Sequence, residues 1–352
     1  MDARPVLIVL RALGLGDLLT AVPALRALAD AFPSHRRLLA TPAALAPLAR
    51  LTGTVHDVIP AEPLAPLGVA PAPDVAVNLH GRGPQSHRVL LERCPRRLIA
   101  FAHADVAATA GFPSWRADEH EVERWCRLLR ESGIPADARR LDLELPADPT
   151  REGPDDAVPE NARGATLIHP GAGSAARRWP VERWGVVARA ERVAGRRVVV
   201  TGSVAEIDLA RAVALAAGLN DTAIYAGRTD VLGLARLIAA SARVVCGDTG
   251  VGHLATALRR PSVLLFGPSS PAHWGPPADR PWHRVLWRGR TGEPNGARPD
   301  GGLLDIDVNS VLDALADLPS AAHGEPRDVA RGAVTRDGRR RSDLIATLGA
   351  HG

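Results

Sequence analysis

The chain has 352 residues, 46% of them hydrophobic and 23% charged, a balance that fits a globular protein with room for about two domains rather than one core. All 43 of its basic residues are arginine, which excludes Gly-Lys-Ser/Thr phosphate loops, pyridoxal Schiff bases and lysine nucleophiles; GC-rich codon usage accounts for the bias without a functional cause. The net charge of +4 is spread along the chain with no nucleic-acid motif beside it, so it suits anionic substrates at least as well as nucleic acid.

The opening MDARPVLIVLRALGLGD carries an apolar run interrupted by Arg11, too short for a signal peptide or a membrane span, and reads as a buried first strand. VLIVL, RLLAT, VHDVIP, DVAVNLH and RLIAF read as strands, separated by helix-length segments over 17–30, 42–51 and 118–132. This alternation predicts a parallel sheet with helices on both faces, forming a first domain over 1–145. Residues 146–164, rich in proline, acidic and small residues without an apolar period, read as a linker. The alternation then restarts with ATLIHP, a helix over 181–194, RRVVVTG, a helix over 204–217, TAIYAG, a helix over 230–241, RVVCGD, a helix over 251–259 and SVLLFG. These form a second domain over 165–318. From 319 to 352 the chain has little to bury and is expected to be disordered. The expected fold is therefore α/β, with two doubly wound, Rossmann-like domains facing a central cleft. Cys94, Cys126 and Cys246 form no Cys-x-x-Cys pair, which argues against disulfides and zinc and points to a cytoplasmic setting.

In such a fold the ligand site lies at the C-terminal ends of the strands, so four strand-to-helix loops matter. LGLGDLLTAVP sets Gly14 and Gly16 ahead of Asp17, which is either an N-cap or a carboxylate exposed to the cleft as a general base. NLHGRGPQSHR, over 78–88, offers His80 and Arg82 to the same cleft, or is an ordinary polar loop. HPGAGSAARRWP satisfies the Gly-x-Gly-x-x-Ala spelling of a dinucleotide site with Gly171, Gly173 and Ala176. In that reading, however, Pro180 would fall inside the helix, and VVVTGS has no acidic residue at its tip for a ribose. The alternative is a longer loop with Arg177 and Arg178 projecting and Pro180 in the first turn of a helix near Val181, suited to a phosphate. VVCGDTGVGHLATAL places Asp248, Thr249, Gly250 and His253 at a helix N-terminus, whose amides and dipole favour an anion.

Taken together, RALGLGDLLTAVPALRAL, HPGAGSAARRWPVERW and GDTGVGHLATALRRPSVLLFGPSSPAHWGP resemble the heptosyltransferases, glycosyltransferase family nine, over about residues 4–318. The resemblance implies a GT-B fold, an ADP-sugar donor held by the C-terminal domain, an acceptor held by the N-terminal domain, and inverting transfer without a metal or other cofactor. By position it implies Asp17 as the base. It implies donor contacts from Arg177, Asp248, Thr249, Gly250 and His253; the same strand-to-helix loops add Gly171, Ser174 and Arg178 as candidate donor contacts and Gly16, His80 and Arg82 as candidate acceptor contacts. Two positions depart from the family: Arg177 stands where lysine is usual, and no glutamate lies near Leu232. The acceptor is expected to be a glycan, a glycolipid or a small molecule, with no nucleic acid and no transmembrane segment; peripheral membrane association stays open. An NAD(P)-dependent oxidoreductase using the Gly171 loop, or a sugar-nucleotide-binding protein without catalysis, are the alternatives.

Overall fold

The computed structural model describes residues 4–68, 71–145 and 158–319. Its first half runs β1 (Val6–Leu10), α1 (Leu15–Thr20), α2 (Val22–Ala31), β2 (Arg36–Thr41), α3 (Ala46–Leu51), β3 (Asp57–Pro60), β4 (Val75–Asn78), α4 (Gln85–Leu91), β5 (Arg97–Ile99) and α5 (Glu121–Glu131). The second half runs β6 (Thr166–His169), α6 (Val181–Val193), β7 (Val198–Val200), α7 (Ile207–Ala217), α8 (Val231–Ala240), β8 (Arg243–Gly247) and α9 (Gly250–Ala257). It closes with β9 (Ser262–Leu265), α10 (Pro271–Trp274), β10 (His283–Leu286), α11 (Gly301–Leu304) and α12 (Val308–Ala316).

Among the described residues the strands form two five-stranded sheets, ordered β3-β2-β1-β4-β5 and β10-β9-β8-β6-β7. Every pair is parallel, with Val9 of β1 opposite Leu39 and Val77, and Leu167 of β6 opposite Val199 and Val244. Both sheets are therefore of the doubly wound kind expected. A parallel sheet is covered on both faces, and for that reason its central strands are apolar throughout: Leu7, Ile8, Leu167 and Ile168 are fully buried. In each sheet the strand order reverses once, between β1 and β4 and between β6 and β8. A reversal splays the two flanking loops apart and opens a crevice at the strand ends. The topology thus sets the Asp17 loop beside the His80 loop, and the Gly171 loop beside the Asp248 loop.

Several expected elements differ in detail. The helix expected over 17–30 is two helices that break at Ala21, because Pro23 has no N–H to donate to the preceding turn. TAIYAG is no strand: β7 is three residues long, and only Ile224 bridges to it, after which Gly227 turns away at φ +72°. The loop read over 78–88 ends in α4. Beyond β9, the strand β10 and the helix α12 went unassigned in the sequence; β10 forms the edge of the second sheet beside β9, and α12 packs against that sheet. Residues 146–157 of the expected linker, and all but Pro319 of the expected tail, lie outside the described residues.

Candidate functional site

On the N-terminal side, α1 starts after Gly14, and Asp17 is its third residue rather than its cap. Asp17 Oδ2 accepts a hydrogen bond from the Gly14 N–H at 3.2 Å, and Oδ1 accepts one from Arg11 Nη2 at 3.1 Å. Arg11, which ends the apolar run of β1, has no solvent exposure of its side chain. An arginine that deep needs acceptors all round, and it has them. Nε donates to Asp17 O at 2.9 Å and Nη1 to Leu79 O, while Nη2 also reaches Thr20 Oγ1 at 3.2 Å and Glu121 Oε1 at 3.0 Å. Its guanidinium carbon lies 4.8 Å from the Trp125 ring centroid. Beside this cluster His80 Nδ1 accepts from the Ala12 N–H at 3.2 Å. Burial, with Arg11 adding to it and Asp17 opposing, holds the His80 imidazole below its ordinary pKa. Arg82 lies exposed on the same loop.

On the C-terminal side, the loop after β6 passes through a short turn at Ala175–Arg177, and α6 begins at Val181 with Pro180 as its cap. No α-helix starts at the Gly-x-Gly-x-x-Ala spelling, only a single 3₁₀ turn, so the helix N-terminus that a dinucleotide site requires is not there. Of the two arginines, Arg177 reaches across: its Nη1 donates to Asp248 O at 3.3 Å and lies 3.9 Å from Asp248 Oδ2. Arg178 does not project as expected. Its Nε and Nη2 both donate to Ala172 O, at 3.0 and 2.9 Å, and clamp the loop on itself. Ser174 Oγ donates to Pro294 O at 2.5 Å. Trp179 is a core residue, buried against Trp184 with its Nε1 donating to Ile306 O at 3.0 Å. The Gly171 position is filled from the other side by the Glu206 carboxylate, which any Cβ at 171 would strike. An acidic group thus stands near the tip of β7 after all, supplied from the turn that follows the strand.

After β8, Thr249 caps α9 through Oγ1, which accepts from the Val251 N–H at 3.3 Å, so the positive end of the helix lies at the Asp248 loop. His253, one turn in, stands over Trp274 with ring centroids 6.1 Å apart. Burial holds its imidazole below the ordinary pKa, opposed by Asp248 and Asp17, aided by His120 and opposed again by Glu121. At neutral pH it is therefore an uncharged ring with one N–H to give. Burial also pushes the Cys126 and Cys246 thiols up to about 12, so neither is a nucleophile at neutral pH.

The two halves meet where α1 and α9 begin. A Cβ on Gly16 would lie 2.8 Å from His253 Cδ2, and one on Gly250 would lie 2.7 Å from Leu15 Cβ and 3.0 Å from the Gly16 nitrogen. Gly16 leaves room for the His253 ring, and Gly250 for Leu15 and the Gly16 backbone, which explains both glycines. Asp17, His80, Asp248 and His253 are thereby gathered from distant parts of the sequence, with Arg177 joined to Asp248 and Ser174 Oγ accepting from Arg177 Nε at 3.5 Å; Arg82 lies exposed and Arg178 is turned onto Ala172 O instead. The Gly250→Ala substitution should force the helices apart. We expect a folded protein whose turnover falls by about 10²-fold, because a shift of about 1 Å in a reacting group has that effect. Gly81→Ala, which meets open space, should retain activity in the same assay.

Sequence reasoning missed Arg11, His120, Glu121 and Glu206. Arg11 was visible as a lone charge ending a buried strand; Glu121 looked like any acid in a first helical turn. His120 Nε2 donates to Gly275 O at 3.0 Å, a link between the halves that no local pattern announces. Elsewhere Asp142 accepts from Arg259 Nε at 2.8 Å and from Arg280, and the Leu143 N–H donates to Ala257 O at 2.8 Å.

Residues 112–291 match the model of glycosyltransferase family 9 (heptosyltransferase). Lipopolysaccharide heptosyltransferase 1 of Pseudomonas aeruginosa is 36% identical over 165 residues, which is 45% of this chain and 42% of that protein. Lipopolysaccharide heptosyltransferase 2 of Escherichia coli is 27% identical over 337 residues, 85% of this chain and 94% of that protein. Among solved structures, the E. coli ADP-heptose lps heptosyltransferase II superposes with a TM-score of 0.71 at 23% identity, covering 88% of this chain and 97% of that one. The fold is thus that of the GT-B-type heptosyltransferases. Among the described residues no helix is long and apolar enough to cross a membrane.

Proposed function

The chain belongs to glycosyltransferase family 9 (heptosyltransferase), and from that premise we propose that it moves a heptose-like sugar from an ADP-sugar to a hydroxyl of a lipopolysaccharide-type acceptor, with inversion and without a metal ion. The observation that carries the reading is the close approach of the Asp17 loop to the start of α9, where Gly16 lies against His253 and the Asp17 and Asp248 charges both act on the His253 ring. In the proposed reaction the acceptor hydroxyl gives its proton to Asp17 as its oxygen attacks the anomeric carbon. The bond from that carbon to the diphosphate breaks on the opposite face, and the electron pair leaves with ADP. In this reading Arg177, the His253 N–H and the N-terminus of α9 meet the charge developing on the diphosphate.

In this reading residues 1–145 hold the acceptor, with Gly16 and His80 beside the base, and residues 165–318 hold the donor. Gly171 and Thr249 shape the two donor loops, Ser174 and Arg178 brace the first of them, and Arg82 offers a charge to an anionic acceptor from the rim. Without a metal in the mechanism, calorimetry of the full chain with ADP in excess EDTA should give the same affinity as with Mg²⁺. Binding seen with Mg²⁺ alone would remove the metal-independent reading. A protein that binds ADP-heptose yet releases no ADP with a heptose-deficient lipopolysaccharide would be a binding protein instead.

A further inference from the structure

We propose that Arg11 and Glu121 are positioning residues for Asp17, forming a carboxylate–guanidinium–carboxylate relay that fixes both the orientation of the Asp17 side chain and its readiness to take a proton. The inference rests on the reading of Asp17 as the base and adds to it the two residues through which the fold controls that base.

The geometry is that of one nitrogen serving two acids. Arg11 Nη2 lies 3.1 Å from Asp17 Oδ1 and 3.0 Å from Glu121 Oε1, with Thr20 Oγ1 as a third acceptor at 3.2 Å. Two N–H bonds cannot fully serve three acceptors, so the share that Asp17 receives depends on what Glu121 takes. Glu121 is itself fixed: Oε1 also accepts from Trp125 Nε1 at 2.9 Å, and Oε2 accepts from Arg124. Its side chain is 6% exposed, that of Arg11 is not exposed at all, and that of Asp17 is 27% exposed. Water therefore reaches the Asp17 end alone, and the two buried partners act on it with little screening.

The relay also joins the halves of the molecule. Glu121 begins α5, and the residue before it, His120, holds Gly275 O with Nε2 while its Nδ1 accepts from the Val122 N–H at 3.3 Å. The groups facing Asp17 are Arg11 from the end of β1, His80 from the loop after β4, Glu121 from α5 and His253 from α9. Burial holds both histidines below the ordinary imidazole range, so near neutral pH the charges bonded into the relay with Asp17 are those of Arg11 and Glu121, while the Asp248 carboxylate, paired with Arg177, acts on His253.

The two partners push the base in opposite directions. Taking away Arg11 removes a cation that favours the carboxylate; taking away the Glu121 charge leaves Arg11 wholly to Asp17. Hence the test is the pH dependence of kcat, measured as ADP release from ADP-heptose with heptose-deficient lipopolysaccharide, for the full-length wild type, Arg11→Gln and Glu121→Gln. We expect the acid limb to rise by roughly 1–3 pH units in Arg11→Gln. In Glu121→Gln it should fall by about one unit, with the plateau lowered severalfold and the donor KM unchanged. His80→Asn combined with each variant should leave these shifts in place; their disappearance would assign the limb to His80 and overturn the inference. A limb that does not move in either variant, with activity lost only in step with thermal stability, would also overturn it. If Arg11→Gln does not fold, Arg11→Lys is read instead: it keeps the charge without the fork, and a lowered kcat with the limb in place supports the relay, whereas wild-type turnover refutes it. Asp17→Asn separates the two levels. Normal turnover there refutes the base and the relay together, whereas an inactive Asp17→Asn beside unmoved limbs leaves the base and refutes the relay alone.

Discussion

Replacing Asp17 by asparagine is expected to lower kcat by roughly 10² to 10⁴, the usual contribution of a positioned base, while the melting temperature and the affinity for ADP stay near wild type. The change is nearly isosteric, and the asparagine oxygen can still accept from Arg11 Nη2 or the Gly14 N–H. Arg11 in turn keeps Glu121, Thr20, Leu79 O and Asp17 O as partners, so the buried cation is not orphaned. A side chain that served only the first turn of α1 would behave differently, since exchanging aspartate for asparagine at a helix start costs little and leaves turnover intact. The measurement is ADP release at saturating acceptor, beside thermal melts. Near-normal turnover would remove Asp17 from the chemistry.

The second large effect is expected at Arg177. Arg177→Ala should lose roughly 10² to 10³ in kcat, the range seen when one donor is removed from a charge-stabilising site, equivalent to about 2.7–4 kcal/mol. Its side chain is 26% exposed while bound to the Asp248 loop, so a face of the guanidinium remains open for a ligand. Arg178 has its fork turned inward on Ala172 O, and Arg178→Ala should act on loop order and lose about tenfold, the lower end of the worth of one charged hydrogen bond. Arg177→Lys, which restores the residue usual in the family, should fall between them, because a point charge can meet a diphosphate but cannot hold Asp248 in the same way. Equal losses at 177 and 178 would mean that the whole loop, rather than one cation, carries the effect.

Much of this arrangement was legible in the sequence, for identifiable reasons. Parallel strands buried on both faces leave unbroken apolar runs such as VLIVL in β1 and VLL in β9, and the two doubly wound sheets follow from their alternation with helices. Loops at strand ends announce themselves with glycines, so the Asp17, Gly171 and Asp248 loops were located. What was not legible depends on distance. The partners of Asp17 are Arg11, six residues earlier, and through it Glu121 on α5, and nothing local in the sequence marks a bond between β1 and α5. Arg177 and Arg178 are adjacent and chemically identical, and only the path of the backbone sends one to Asp248 and the other to Ala172. TAIYAG has the composition of a strand, but a neighbour three residues long gives it almost nothing to pair with. Conversely, α12 carries readable signals, left unassigned above, in its cap Asp307 and in the spacing of Val308, Val311, Leu312 and Leu315.

The contact of Gly16 with Gly250 has a consequence for how such a sequence can drift. Each position lacks room because of atoms that belong to the other helix: His253 and Gly250 stand over Gly16, and Leu15 and the Gly16 backbone stand over Gly250. A larger residue at 16 becomes tolerable only after 253 has shrunk, and one at 250 only after 15 has. Substitutions at touching positions are non-additive as a rule, so here the order in which they arise decides whether a lineage survives them. Two loops written far apart in the gene are obliged to change as one unit, and the passage between neighbouring sequences is narrowest where the halves touch.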